Sequence, residues 1–373
     1  MTYYIVDTIF CLIYGIIDFK IFSGLNSLKN GQATHTEGVS ILLAAKDEAH
    51  QIAQCIDSLI NQNYSSFEIL IANDRSTDNT LSILEEYSIR FPDKIKYLNI
   101  QDDDNLLGWS PKKFAINELI SIAQYDYILL TDADCIAPPT WTKAMMAEFE
   151  DGIEFVVGHS IYHKVSGMNQ TFYGIQALDF ISHMIVACGA IVKKFPITST
   201  GTSLAYKKSW FKSVAGFEGV SDVPSGDDDL LLHKISNENP RAIRFCANVE
   251  AAVITYPAST PKALWEQRKR WASKTILYTP RVVSLLLFVF IFYSYIFLGL
   301  IFSLLTLNPL LFSSFTVMWL LKTLADFIVM KKGTKTFHHP EFITYFTITS
   351  ILHIPMIFFS VIFGIFSKFE WKK

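Results

Sequence analysis

A long stretch without any charged side chain, between Arg281 and Lys322, constrains the fold of this chain more than any other feature. It belongs to a set of apolar runs that cover 282–305, 310–330 and 343–366. A helix of about 20 residues crosses the hydrocarbon core of a bilayer, so each run is long enough to span a membrane. We therefore predict about three transmembrane helices within residues 281–367.

Polar residues inside these runs refine the prediction. Lys322 and Asp326 lie one helical turn apart, and we expect them to pair, because an unpaired charge in hydrocarbon is costly. His353 and Pro355 interrupt the third run, which leaves open a broken or re-entrant helix there.

The N-terminal segment, residues 1–24, is a weaker candidate for a membrane helix because it carries Asp7 and Asp18. It lacks the basic start and the small-residue cleavage site of a removable signal peptide. We predict that it is a membrane anchor, with a buried soluble helix as the alternative.

Composition agrees with a membrane protein and argues against a nucleic-acid partner. Hydrophobic residues make up 50% of the chain, and the mean hydropathy is +0.28. A net charge of −3 gives no general attraction to nucleic acid. The five cysteines show no C-x-x-C spacing, which indicates reduced thiols facing a cytosol.

Residues 36–280 alternate between strand and helix patterns. Apolar runs predict strands at 38–45, 67–74, 95–100 and 127–130. Helical spacing of apolar residues and cap residues predicts helices over 52–60, 76–91 and 112–123. This alternation is typical of an open, mostly parallel, Rossmann-like α/β sheet.

Acidic residues follow three of the predicted strands. They are Asp47 and Glu48, Asp74, and the pair Asp132 and Asp134. Ligands of such sheets bind beyond the carboxyl ends of the strands, so we expect these residues to converge. Asp132 and Asp134 repel each other unless another charge offsets theirs. A divalent cation that bridges a diphosphate would do so, and hard oxygen ligands suit Mn²⁺ or Mg²⁺.

Two other interpretations of Asp132 and Asp134 stay open. One is a solvated pair in a turn that Pro138-Pro139 favours, since D-x-D alone is a weak motif. The other is a phosphatase-type nucleophile. Such sites usually continue into a Gly-Thr or Gly-Val turn, whereas Cys135-Ile136 follows here.

Five segments, taken together and in order, resemble the family 2 glycosyltransferases with a GT-A fold. The segments are ILLAAKDEA (41–49), ANDRSTDNT (72–80), TDADC (131–135), GDDDLLL (226–232) and QRKRW (267–271). The last segment matches Q-x-x-R-W, which marks membrane-embedded members such as cellulose and hyaluronan synthases and ceramide glucosyltransferase. The resemblance implies a GT-A catalytic domain with interfacial helices over 36–280.

The resemblance implies a nucleotide cleft at the ends of the first two strands. Asp74 matches the acidic residue that reads the nucleobase, and Ala45 and Glu48 match residues that line the cleft. The family usually has Asp-Asp where this chain has Asn73-Asp74, and often a small residue where Arg75 stands.

Further residues match the donor side of the family site. Lys112 fits a lysine near the donor in a K-x-x-A-x-N segment, with Lys113 a near-equal candidate. Asp132 is implied to contact the ribose or the hydration shell of the metal, and Asp134 to bind the metal. Both lysines could instead be ordinary surface charges.

The acidic run Asp227, Asp228 and Asp229 raises the question of the catalytic base. Counting back from Leu230 aligns Asp227 with the aspartate of the family motif and Gly226 with its usual glutamate, with Asp228 the alternative one residue on. Inversion needs a carboxylate that takes a proton from the acceptor hydroxyl. Mutual repulsion raises the pKa of neighbouring acids, which suits a base. Asp227 is also a good N-cap for the helix that we predict after it.

Gln267, Arg270 and Trp271 occupy positions i, i+3 and i+4 of a predicted helix and share one face. The resemblance implies that Gln267 and Arg270 approach the diphosphate and that Trp271 stacks under the acceptor. The forked guanidinium of arginine suits phosphate oxygens. A juxtamembrane anchor is an additional role, since basic and aromatic residues favour membrane interfaces.

The apolar segment 165–192 carries one formal charge, Asp179. If it spanned the membrane, it would separate Asp227 from Asp132 and Asp134. We therefore predict an interfacial or buried helix that gives a membrane-resident acceptor access. The segment 201–217 is predicted to form a turn and a helix.

These observations predict an inverting, metal-dependent hexosyltransferase of the cell's inner (cytoplasmic) membrane. It is expected to be multi-pass, with the catalytic domain in the cytoplasm, and the basic loop 331–339 then obeys the positive-inside bias. The donor is a nucleotide-diphosphate sugar, with UDP expected, and the acceptor is a lipid or a glycan. Few spans favour a lipid acceptor and one-sugar transfer. The alternatives are a processive polysaccharide synthase and an inactive scaffold of the same fold.

Overall fold

The computed structural model of the protein describes residues 2–101 and 108–366, which form two compact units. The sheet unit comprises 29–165 and 194–256, and the helical unit comprises 1–28, 166–193 and 257–373. Our sequence prediction assigned 36–280 to a single domain. In the structure, 166–193 and the residues from Pro257 onward group with the helical unit.

Short parallel and antiparallel strands form the centre of the sheet unit. The strands are β1 (Val39–Ala45), β2 (Phe67–Asp74), β3 (Ile95–Ile100), β4 (Tyr127–Leu130), β5 (Phe155–Val157), β6 (Ser160–Tyr162), β7 (Leu204–Lys207), β8 (Ile243–Phe245) and β9 (Val253–Thr255). A seven-stranded sheet has the order β3-β2-β1-β4-β7-β5-β8, and β6 pairs with β9. Strands β1 to β4 are parallel to one another, which confirms the predicted sheet, while β7 is antiparallel to β4 and β5.

Helices connect these strands and form the helical unit. Numbered along the chain, they are α1 (Thr2–Asn26), α2 (Ile52–Ile60), α3 (Thr80–Arg90), α4 (Pro111–Ile122), α5 (Trp141–Met146), α6 (Gln170–Val192), α7 (Lys208–Ser213), α8 (Asp229–Glu238), α9 (Pro261–Ser273), α10 (Pro280–Leu305), α11 (Pro309–Thr336) and α12 (Phe346–Phe366). The predicted alternation of strands and helices along 38–130 is therefore correct.

The core of the sheet unit follows from side-chain periodicity. In α2, Ile52, Cys55, Ile56 and Leu59 are buried, and their spacing places them on one face. They pack in the same core as residues of β1 and β2, strands that are almost fully buried. Burying one such aliphatic side chain stabilises the fold by about 1.5–3 kcal/mol.

Strand β7 was not predicted from the sequence. We expected a turn and helix over 201–217, and the structure inserts Leu204–Lys207 between β4 and β5 before the short helix α7. Four residues are too few to show a period, and their pairing partners lie far away in the chain.

The helical unit contains helices that are long and apolar enough to cross a membrane. Among the described residues these are α6, α10, α11 and the segment 340–366, which includes α12. The last three correspond to the predicted transmembrane runs. Helix α6 is different, because 72% of its most apolar window is buried inside the protein. Burial of α6 agrees with the interfacial or buried helix that we expected there, and the anchor role of 1–24 stays a prediction.

A buried lysine in the membrane helix α11 is paired with an aspartate. The Lys322 ammonium lies 2.6 Å from Asp326 Oδ2, as predicted from their spacing. The break near His353 and Pro355 that the sequence left open is absent from the described residues, since α12 continues through Pro355 from Phe346 to Phe366. Proline can remain inside a membrane helix when neighbouring groups satisfy the freed backbone.

Candidate active site

The carboxyl ends of β1, β2 and β4 lie at one edge of the sheet, and a lysine-bridged cluster lies beyond β4. The Lys112 ammonium is 2.7 Å from Asp132 Oδ1 and 2.9 Å from Asp227 Oδ2. Asp132 follows β4, whereas Asp227 precedes α8, so the two carboxylates come from distant parts of the chain. One ammonium therefore brings together the D-x-D segment and the predicted catalytic base.

The electrostatics of this cluster keep Lys112 charged. Burial lowers the pKa of the Lys112 ammonium, but the attractions of Asp132 and Asp227 outweigh it, so the pKa lies well above its ordinary value. The side chains of Asp132 and Asp227 are 30% and 13% exposed, so a ligand can reach both. The ammonium offsets part of the repulsion that we noted for the acidic pair.

The structure distinguishes the two candidate lysines. Lys112 points to the acidic cluster, whereas Lys113 is 1% exposed and donates to the carbonyls of Val220 and Val223, at 2.6 and 2.9 Å. Consecutive residues of a helix point in directions about 100° apart, which explains the division. Lys113 thus holds a loop of the sheet unit.

The three consecutive aspartates before and in α8 have three different environments. Asp227 contacts Lys112, and Asp228 is the N-cap of α8, where its side chain accepts a hydrogen bond from the Asp229 amide. Asp229 is 2% exposed and accepts from the Thr198 hydroxyl and the Ser199 amide, at 2.9 and 2.7 Å. Our assignment of the cap to Asp227 was therefore wrong by one residue, and the shift directs Asp227 toward the lysine.

A loop of small residues before β7 connects the end of β4 to the start of α8. Thr131 donates to the Thr202 carbonyl at 2.8 Å, and Ser199 bonds to Asp229. Between them lies Gly201, where an added Cβ would lie 3.5 Å from both Lys112 Nζ and Asp227 Oδ2. The backbone of this loop therefore lies directly against the cluster.

Gly226 stands where the family motif usually has glutamate. Its φ of +85° lies in the left-handed region, where a Cβ is unfavourable. The tight turn that presents Asp227 thus explains a glycine at this position.

The D-x-D segment provides donors for a hard cation. One donor atom from each of Asp132, Asp134 and Cys135 lies within 4.8 Å of the others. Burial and the nearby carboxylates raise the pKa of the Cys135 thiol, which keeps it protonated, and its sulfur lies 3.6 Å from Asp134 Oδ1. Carboxylate oxygens are therefore the available ligands, and they fit Mn²⁺ or Mg²⁺.

The loops after β1 and β2 are tied together by hydrogen bonds. The amides of Asp47 and Glu48 donate to the hydroxyls of Ser76 and Thr80, at 3.0 and 2.9 Å. The Thr77 amide in turn donates to Asp47 Oδ1 at 2.7 Å. These bonds form a preformed pair of loops at the edge where nucleotides bind in such sheets.

The residues that we predicted for the nucleotide cleft lie at this edge. Ala45, 1% exposed, ends β1 opposite Asn73 of β2, one residue before Asp74. Asp74 is 5% exposed, and Arg75 donates to its Oδ1 from Nε and Nη2, at 2.8 and 2.6 Å. Arg75 has a φ of +53°, which lies in the left-handed region that non-glycine residues rarely adopt.

The Q-x-x-R-W residues belong to the helical unit. Gln267, Arg270 and Trp271 lie in α9, so the predicted helical spacing is correct. Gln267 Oε1 accepts a hydrogen bond of 3.2 Å from Arg268, whose guanidinium lies 4.2 Å from the centre of the Trp271 ring.

Comparison with known proteins places the chain in a family. The model described as "Glycosyl transferase family 2" matches residues 40–185, and the model described as "Glycosyl transferase family group 2" matches residues 127–362. The second match covers more than half of the chain. The chain is a family 2 glycosyltransferase. Among its described residues it also has four helices that are long and apolar enough to cross a membrane.

Curated relatives of this glycosyltransferase include bacterial polymer synthases. A poly-β-1,6-N-acetyl-D-glucosamine synthase of Staphylococcus epidermidis is 28% identical over 287 residues, which cover 72% of this chain and 61% of the relative. The synthase of Staphylococcus aureus strain COL is 27% identical over 268 residues, covering 70% and 60%. The chain thus spans about six-tenths of the length of these relatives.

A solved structure supports the fold of the glycosyltransferase. The mannosyltransferase of Pyrobaculum calidifontis, in complex with GDP-Man and Mn²⁺, aligns over 94% of this chain and 98% of its own, with a TM-score of 0.57. At 15% sequence identity the likeness concerns the fold alone. It agrees with the predicted GT-A class.

Two sets of residues in this glycosyltransferase were missed from the sequence. Thr198 and Ser199 hold Asp229, and no motif identifies them. Arg268 pairs with Asp179 of α6, and both side chains are buried. A signal for the second set existed, because Asp179 is the single charge of an apolar segment and requires a partner.

Proposed function

We propose that this glycosyltransferase moves N-acetylglucosamine from its UDP ester to a hydroxyl of a membrane-associated glycan, with inversion at the anomeric carbon. The observation that carries the proposal is the lysine-bridged cluster of Lys112, Asp132 and Asp227. It sets a donor-side carboxylate and a candidate base around one cation. That arrangement suits a single displacement, in which one group handles the leaving diphosphate and another the attacking hydroxyl.

Asp227 is the proposed base. It would accept the proton of the acceptor hydroxyl as that oxygen bonds to the anomeric carbon. The bond from the anomeric carbon to the diphosphate oxygen breaks, and UDP leaves with the electron pair. Asp228 is the weaker candidate, because its carboxylate caps α8 and accepts from the Asp229 amide.

The donor side is proposed to use the edge of β1, β2 and β4. Asp74 would read the uracil, with Ala45 and Glu48 beside it, and Asp132 would contact the ribose. A cation, Mn²⁺ or Mg²⁺, held by Asp134 with Asp132 would offset the negative charge on the departing diphosphate. Lys112 keeps its charge and orients Asp132 and Asp227.

Residues of α9 have proposed roles that rest on the family motif. Gln267 and Arg270 would contact the diphosphate, and Trp271 would stack under the acceptor sugar. Arginine is suited to this contact by its paired donors. Multi-pass insertion, with the catalytic domain facing the cytoplasm, is part of the same proposal.

The relatives bear on the acceptor. Our sequence prediction favoured a lipid acceptor and one-sugar transfer, with a processive synthase as the alternative. The relatives that match over about 70% of this chain are named as polymer synthases, which favours the glycan acceptor. The lipid acceptor stays a prediction, and the size of the product distinguishes it from the glycan acceptor.

The test uses the full chain purified in detergent and reconstituted in vesicles. UDP sugars with labelled N-acetylglucosamine, glucose and galactose are supplied separately with Mn²⁺ or Mg²⁺, and the product is divided into organic-extractable and high-molecular-weight fractions. We expect labelled polymer from UDP-N-acetylglucosamine, and none from an Asp227→Asn control. An extractable product with one added sugar would establish the lipid acceptor instead. If neither transfer nor donor hydrolysis occurs with any of the sugars, the inactive-scaffold alternative is supported.

A further inference from the structure

Helix α6 carries a polar stripe on an otherwise apolar surface. Gln176, Asp179 and His183 recur at intervals of three and four residues, with Phe180 beside them, so they share one face of the helix. Gln176 and Asp179 are 0% and 4% exposed. Buried polar groups on an apolar helix have a cost unless they have partners, and the partners here belong to α9 and the residues just before it.

The stripe holds α9 at its start. The Gln176 amide accepts from the Ala258 amide at 3.0 Å and donates to the Ala258 carbonyl at 3.2 Å. Ala258 lies three residues before Pro261, the first residue of α9. A side chain that bonds both to a backbone N–H and to its C=O sets the entry direction of the helix.

A second contact lies further along α9. Asp179 Oδ2 accepts from Arg268 Nη2, and both side chains are at most 5% exposed. The Arg268 guanidinium also donates to Gln267 Oε1 at 3.2 Å and lies 4.2 Å from the centre of the Trp271 ring. His183 meets the same ring edge-on at 5.0 Å. The arginine thus contacts two of the Q-x-x-R-W side chains although it is not itself one of the motif positions.

We propose that Asp179 and Arg268 are positioning residues that fix Trp271 for acceptor binding and hold Gln267 beside it. Asp179 anchors the guanidinium, and the guanidinium stacks on the Trp271 face and holds the Gln267 amide. An arginine suits this task because its planar fork can pair, stack and donate at the same time, and lysine cannot. The inference deepens the proposed function, since it rests on Trp271 being the acceptor platform.

Arg268→Lys separates positioning from mere stability. Lysine can keep the charge pair with Asp179 but loses the stacked plane and the contact to Gln267. We expect a melting temperature near that of the wild type. The kcat/KM for the acceptor should fall by about a hundredfold, because a small misplacement of a substrate-positioning group can lower the rate that much. Hydrolysis of UDP-N-acetylglucosamine without acceptor should fall much less, because Arg270, the other proposed diphosphate contact, is kept. The acceptor probe is a β-1,6-linked N-acetylglucosamine tetramer.

A double-mutant cycle tests whether Asp179 acts through the tryptophan. Asp179→Asn should lower the acceptor kcat/KM in the wild type but have little further effect in a Trp271→Ala background. Asp326→Asn is the matched control, because it removes a different charge pair of the helical unit, the one with the buried Lys322. Additive effects of Asp179→Asn and Trp271→Ala would overturn the proposal.

A readout independent of the reaction completes the test. Labelling with 5-fluorotryptophan gives one fluorine signal for each of the seven tryptophans, and Trp271→Phe identifies the signal of Trp271. We expect Arg268→Lys and Asp179→Asn to shift that signal and Asp326→Asn to leave it in place. An unmoved signal in both variants would overturn the positioning role. If the wild type transfers no sugar to the tetramer, the proposed acceptor fails, while the fluorine spectra still decide the inference.

Discussion

Replacing Lys112 with methionine tests the lysine-bridged cluster most directly. Methionine keeps a chain of similar length and removes the ammonium that lies 2.7 Å from Asp132 and 2.9 Å from Asp227. The two carboxylates then lose their common counter-charge. We expect Lys112→Met to keep the fold and to lose most of the transfer activity.

The structure allows a rough magnitude. Unit charges 2.7 Å apart attract by about 6 kcal/mol at an effective dielectric constant of about 20. All three side chains are partly exposed, so solvent screens much of this attraction. A hydrogen bond to a charged group retains a net value of about 1.5–3 kcal/mol. If the variant loses about 3 kcal/mol of transition-state stabilisation, its kcat/KM falls roughly hundredfold.

Lys113→Met is the matched control, because the neighbouring lysine is buried and bonds to the carbonyls of Val220 and Val223. Leaving these carbonyls without a donor costs about 1–3 kcal/mol each, so this variant should melt several degrees lower. Its activity per folded molecule should stay near wild type. Both variants are compared by donor turnover and thermal unfolding in detergent. Wild-type turnover in Lys112→Met, or a larger rate loss in Lys113→Met at equal folded amounts, would refute the reasoning.

Three further predictions concern the same unit. Asp134→Asn should abolish transfer, because the D-x-D carboxylates are the expected cation ligands. Excess chelator should abolish transfer by the wild type for the same reason, and full turnover in chelator would contradict the prediction. Asp227→Asn should stop transfer while UDP binding persists. Asp228→Asn should mainly lower the melting temperature, because the loss of a helix N-cap lowers the free energy of unfolding by about 1 kcal/mol. The reverse pattern would make Asp228 the base. Burial raises the pKa of Glu148 from 4.5 to about 7 although Arg244 opposes the shift. The folded state therefore holds the proton more tightly, and wild type should gain up to about 3 kcal/mol over Glu148→Gln as pH falls from 7 to 4.5. Melting temperatures of the two proteins that differ equally at pH 7.5 and pH 5 would contradict this.

The elements that sequence reasoning predicted are those with a clear local period. Helix α2 shows its buried face in the spacing of Ile52, Cys55, Ile56 and Leu59, and β2 contains an apolar run from Ile69 to Ala72. Helix α10 is a long apolar run without a charge after Arg281, and α11 is uncharged from Pro309 to Leu321. Because β1, β2 and β4 are parallel, their carboxyl ends had to meet, and this predicted the acidic edge before any contact was known.

What could not be predicted depends on contacts between residues that are distant in the chain. The choice between Lys112 and Lys113 depends on the phase of α4, and the choice of cap between Asp227 and Asp228 depends on one residue of register at α8. Asp179 and Arg268 lie 89 positions apart. A single sequence shows that the charge in α6 needs a partner, but it contains no local signal that selects Arg268 from the other basic residues of α9.

The charge of the acidic edge leads to a last prediction, which concerns metal affinity. Asp132, Asp134 and Asp227 carry one negative charge each, and Lys112 offsets one of them, so the remainder equals the charge of one divalent cation. In Lys112→Met the net negative charge of the cluster increases by one, and no ammonium competes with the cation for Asp132. Attraction for Mn²⁺ should therefore rise, by up to about tenfold in affinity, even as transfer becomes slower. Titration of Mn²⁺ followed by the electron paramagnetic resonance signal of the free ion measures this, with Asp134→Asn as the control that should lose binding. Weaker Mn²⁺ binding in Lys112→Met than in the wild type would mean that the ammonium organises the cation ligands instead of competing for them.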